Sequence, residues 1–128
     1  MKRSLVLIAV ISLLVVISVF VFAACIPSDP AKAKAKYEDK GYSAALVTDE
    51  TLLAVAELAL PVKIDGDLAA SLTVSNKSYA GEILYFEKSS DAKKYADYKK
   101  ENSSSYVKKD GKAVFVGDKE AYKMKAAE

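Results

Sequence analysis

Few side chains in this sequence can do covalent or acid–base chemistry. There is one cysteine, Cys25, and no histidine. Without histidine, the side chain that titrates most readily near neutrality is missing, and Ser-His-Asp and Cys-His nucleophiles are excluded. A lone cysteine forms no intrachain disulfide and builds neither a four-cysteine zinc site nor one of two cysteines and two histidines. Two Ser-x-x-Lys spacings occur, Ser90 with Lys93 and Ser105 with Lys108; at that spacing a lysine can take the proton of a serine nucleophile. The companion Ser-Asp-Asn and Lys-Thr-Gly elements are absent, so Ser90 reads as part of a helix cap. Asp65-Gly66-Asp67 lacks the later acids of a calcium loop and reads as a turn. Nothing in the sequence brings Glu38/Asp39 or Glu82/Glu87 together as an acid–base pair, so these read as surface charge. The five glycines are scattered and form no phosphate-binding loop. The expectation is a non-enzymatic protein with no metal and no cofactor.

Cys25 has a telling setting. Lys2 and Arg3 precede an apolar run, residues 5–22, which only Ser12 and Ser18 interrupt. Positive charge before such a run keeps the N-terminus in the cytoplasm and sends the rest of the chain across the membrane. The run ends in Val21-Phe22-Ala23-Ala24-Cys25. This stretch resembles the lipobox of bacterial lipoproteins, in which an aliphatic residue and two small residues precede an invariant cysteine. Ala23 and Ala24 fill the small positions; Phe22 stands where the family usually has leucine. The resemblance covers only residues 1–25. It implies cleavage between Ala24 and Cys25 and a diacylglyceryl group on the Cys25 sulfur. It also implies a lipid-held domain on the outer face of the bacterial cytoplasmic membrane, or on the outer membrane if the cell has two. Two acyl chains suffice for stable anchoring. The run is also longer than the roughly 7–15 residues of a signal h-region, and about 20 apolar residues span a bilayer. The alternative is therefore an uncleaved transmembrane helix holding an accessory or regulatory domain of a membrane complex. The organisation is a leader or anchor over residues 1–24, a tether over 25–30 stiffened by Pro27 and Pro30, and a single domain over 31–128.

That domain has little net field. The chain carries 19 basic and 17 acidic residues, and Lys2 and Arg3 account for the excess. Arg3 is the sole arginine, so the planar fork that grips phosphates and base edges is missing from the domain. No nucleic-acid partner is expected; a protein, a cell-wall component or a small molecule is. Tyrosines offer the one candidate surface. Tyr85, Tyr95, Tyr98 and Tyr106 combine apolar area with a polar tip. The competing and favoured reading makes them the edge of a small core that lacks tryptophan.

The elements that must position these residues emerge from pattern. Residues 31–40 are rich in alanine and lysine, good helix formers, with Asp29 as cap, Pro30 at the first position and Gly41 as stop. The apolar face is thin (Ala31 and Ala35), and Lys32, Lys34 and Lys36 read as a solvated face, with contact to anionic headgroups as the alternative. Residues 42–47 read as a strand. Residues 51–60, TLLAVAELAL, carry apolar side chains almost all round, which predicts a buried helix. Residues 68–75 alternate cleanly, with Leu68, Ala70, Leu72 and Val74 on one side. Residues 82–88 are apolar on both faces at their centre and so form an interior strand. Ser89-Ser90-Asp91 caps a helix over 92–102. Asp110-Gly111 between two extended runs is the strongest hairpin signal. Asp118 caps a last helix reaching residue 126. The expected fold is α+β: a small antiparallel sheet of four or five strands with helices packed on one face.

Overall fold

The central strand dictates the architecture. The computed structural model describes residues 25–128; the signal or anchor helix expected over residues 1–24, with the cleavage residue Ala24, lies outside them. The described chain runs α1 (Pro30–Asp39), β1 (Ser43–Val47), α2 (Glu50–Leu58), β2 (Leu68–Ser75), β3 (Ala80–Phe86), α3 (Ser89–Asn102), β4 (Tyr106–Asp110), β5 (Ala113–Gly117) and α4 (Lys119–Tyr122). The strands form one antiparallel sheet in the order β1-β2-β3-β5-β4. β3 lies at its middle, as an apolar strand should.

Because β3 and β5 are apolar on both sides, both faces of the sheet need cover. This overturns the expectation of helices on one face. Ile83, Tyr85 and Phe115 join Ala70, Leu72 and Val74 on a first face, which Ala33 and Tyr37 of α1 and Ala121 and Tyr122 of α4 close over. Leu84, Phe86 and Val114 point the other way and meet Leu53 of α2 and Ala92, Tyr95 and Ala96 of α3.

Leu68 belongs to the second core rather than the first. The alternation holds for Ala70, Leu72 and Val74, but a register shift between Leu68 and Ala70 adds one residue to the pleat. An extra residue in a period of two sends the preceding side chain to the opposite face.

Two helices reverse their expected burial. α1 is polar in composition, yet Ala33 and Tyr37 are fully buried, and the Tyr37 ring meets Tyr42 edge-on at 5.2 Å. Its ends match the expectation: Asp29 accepts from the Ala31 N–H at 2.9 Å, and Gly41 takes φ 88°. α2, expected to be buried all round, buries only Leu53. Leu52, Val55 and Leu58 are 58, 62 and 88% exposed.

Two caps and one turn also differ. α3 starts at Ser89 with Lys88 at its N-cap and no side-chain cap bond, because Asp91 lies inside the helix and turns elsewhere. The Asp118 carboxylate accepts from the Ala80 N–H at 2.9 Å instead of capping α4, and α4 ends at Tyr122. In the β4–β5 hairpin Asp110 pairs with Ala113, so Gly111 and Lys112 make the loop. Gly111 at φ 60° supplies the positive dihedral that a two-residue type II′ turn needs first.

Candidate functional site

Cys25 is the residue the sequence singles out, and it is exposed. The segment behind it, expected as a stiff spacer, is fastened to the first face of the sheet. Ile26 is buried, and its N–H donates to Asp110 Oδ2 at 2.8 Å. The Tyr122 hydroxyl donates to the same oxygen at 3.3 Å, so one carboxylate at the end of β4 ties the N-terminal segment to α4. One step on, the Tyr85 hydroxyl donates to the Pro27 carbonyl at 2.9 Å. Beneath them Tyr122 lies 5.4 Å from both the Tyr106 and the Phe115 rings. Burial raises the Tyr85 and Tyr122 hydroxyls well above the ordinary phenol range, with the charges of Asp29 and Asp110 adding to each in turn. Both therefore remain protonated donors at any physiological pH.

Two hollows border this segment. Lys32 and Lys36 of α1 line one of about 370 Å³ together with Cys25 and Asp29. Tyr85, Asp110 and Lys112 contribute to another, of about 440 Å³, on the far side of Ser28. The arrangement presents an exposed sulfur flush against the domain, with its neighbouring carboxylate already engaged by two donors. Cys25 thus stays open to solvent while the residue that follows it is packed.

The four candidate tyrosines do not form one surface. Tyr85 and Tyr106 belong to the first core and Tyr95 to the second. Tyr95 packs on Phe86 at 5.6 Å, and burial, then the charge of Glu82, pushes its hydroxyl up to about 12. Tyr98 comes next on α3, half-buried. The core reading of these tyrosines fits the two clusters.

The weaker chemical motifs also find their places. Lys93 pairs with Asp97 at 2.7 Å, one helical turn along α3, in an exposed ion pair. Asp65-Gly66-Asp67 is a turn whose first two N–H groups point at a carboxylate: those of Asp65 and Gly66 donate to Asp91 at 3.0 and 2.8 Å. Asp91 is fully buried. Burial opposes its charge, but these two bonds, with Lys94 and Lys88, outweigh it and hold the carboxyl below the ordinary aspartate range. Sequence reasoning missed this clasp, since an aspartate at a helix start looks like a cap. Glu82 sits half-buried on the second face, raised by burial against the pull of Lys99. Among the described residues, no group of three or more His, Cys, Asp or Glu side chains is placed to hold a metal ion, and no helix is long and apolar enough to cross a membrane.

No family model, no curated protein and no solved structure matches the chain.

Proposed function

We propose that this chain is a membrane-anchored extracytoplasmic lipoprotein whose domain serves a binding or structural role rather than a catalytic one. The leader is cut before Cys25, whose sulfur carries the lipid, and the domain works at the outer face of the bacterial cytoplasmic membrane. The observation that supports this reading is where the packed domain starts. Ile26, directly after the cysteine, is buried and hydrogen-bonded to Asp110, so Cys25 is the junction between an apolar leader and a packed domain. An attachment point belongs at such a junction, where two acyl chains hold the domain without disturbing its cores.

Mass spectrometry of the N-terminus of protein purified from a membrane fraction tests this. The expected product begins at a diacylated Cys25. A chain beginning at Met1 or Lys2 overturns the lipoprotein reading in favour of an intact membrane-spanning leader.

A further inference from the structure

The antiparallel register defines two ends of the sheet. Leu68 pairs with Phe86, Tyr85 with Ala113 and Asp110 with Ala113, so the starts of β2 and β5 and the finishes of β3 and β4 share one end. Ile26 is bonded to Asp110 at that end. Consecutive Cα atoms are about 3.8 Å apart, so Cys25 is held there too, without slack. Residues 1–24, with their apolar run, join the domain at this point. The C-terminus is at the other end, where the Glu128 N–H donates to Ser78 Oγ and the Lys125 carbonyl accepts from the Tyr42 hydroxyl.

α2 also belongs to the leader's end. It lies in the connection between the finish of β1 and the start of β2, and Glu57 Oε1 accepts from the Leu68 N–H at 2.7 Å. Across five strands spaced about 4.8 Å apart, that places it about 20 Å from the β4 edge. Its outward side consists of Thr51, Leu52, Ala54, Val55, Leu58 and Ala59, all exposed. Glu57, its one charge past the first turn, is turned inward to Leu68. Past the exposed Glu50 of its first turn, the helix leaves its outward face without a charge, because its second acid is spent on the sheet. At the same end, Lys32 and Lys36 flank Cys25, ammonium groups on flexible stems that suit lipid phosphates.

We propose that the outward face of α2, centred on Leu52, Val55 and Leu58, seats in the lipid bilayer that holds the leader, so that the domain rests on the membrane in one orientation. The inference rests on the anchoring at Cys25 proposed above. The short reach of residues 25–30 keeps this end at the headgroup level, and an uncharged helical face at that level partitions into the acyl boundary. The far end, with Asn76, Lys77 and the C-terminus, then points away from the membrane and is the end open to partners.

The chain has no tryptophan, so one introduced indole reports alone. The full-length protein carrying Leu58→Trp is reconstituted in phosphatidylethanolamine/phosphatidylglycerol vesicles whose acyl chains are brominated, and Lys77→Trp serves as the far-end control. The expected result is blue-shifted emission from the Leu58→Trp protein, quenched several-fold more than that of the Lys77→Trp protein. Adding Leu52→Gln and Val55→Gln should reduce the quenching, while circular dichroism stays unchanged. Equal quenching at the two positions overturns the proposal. So does blue-shifted emission that bromine does not quench, since another polypeptide segment or a second copy would then cover the helix. N-terminal mass spectrometry on the same samples separates the two ideas: an unprocessed, membrane-held chain with no quenching difference sinks both, whereas a chain starting at diacylated Cys25 with no difference sinks only the docking.

Discussion

α1 and α2 are a matched pair of opposites. α1 reads PAKAKAKYED and α2 reads ETLLAVAEL; by composition the second belongs inside and the first outside. In the fold, Ala33 and Tyr37 of α1 are fully buried, while α2 commits one leucine to the core and leaves three large apolar side chains exposed. What decides burial is which part of the sheet lies beneath the helix. α1 crosses the apolar side chains of β1 and β2, where one tyrosine fills the space. α2 meets only the end of the second face, where Leu53 suffices and two carboxylates finish the attachment, Glu57 on the Leu68 N–H and Asp91 on the turn between α2 and β2.

The largest test of that contrast is Tyr37→Ala. Emptying a fully buried aromatic site should cost about 3–5 kcal/mol, measured by urea unfolding of the domain, and a loss under about 1 kcal/mol would break the claim that α1 is held by this side chain. Asp91→Ala comes next. It leaves two buried N–H groups without their charged acceptor, at about 1.5–3 kcal/mol for each such bond, and hydrogen exchange should rise first at Asp65 and Gly66. The effect depends on pH. Because the folded Asp91 carboxyl titrates below its ordinary value, the unfolded chain takes up the proton first on acidification. The stabilisation is therefore complete above the ordinary aspartate value and fades as pH falls through the lower folded one. The variant's stability should accordingly fall less between about pH 5 and pH 2 than the parent's, by the same unfolding measurement. The smallest effect sharpens the other side of the contrast. Val55→Gln and Leu58→Gln replace exposed side chains with ones that fit a helix well, and should move domain stability by no more than about 0.5 kcal/mol each. A larger loss would mean that the outward face of α2 is supporting the fold after all.

Much of the secondary structure was legible because it is written locally. Asp29 and Pro30 start α1, and Gly41 and Gly111 stand where positive φ is needed. The period-two pattern of Ala70, Leu72 and Val74 and the two-sided apolar centre of β3 named a sheet and its middle strand. The prominence of Cys25 was likewise legible, from one residue type at one position. What was not legible depends on partners distant in sequence. Asp118 and Asp91 have the composition of caps but serve the Ala80, Asp65 and Gly66 N–H groups. The tyrosines divide between two cores because neighbouring residues of β3 face opposite ways.

The sequence by itself therefore determined the apolar run of residues 5–22, the sole thiol, the sheet-forming segments and most of the turns, since these depend on local sterics and hydropathy. Only the tertiary structure decided that both sheet faces are covered, that the polar α1 is buried deeper than the apolar α2, and that Ile26 is held against the domain. These are outcomes of competition for a limited apolar surface and for particular hydrogen-bond acceptors. The winner depends on how the sheet brings its strands and their ends together.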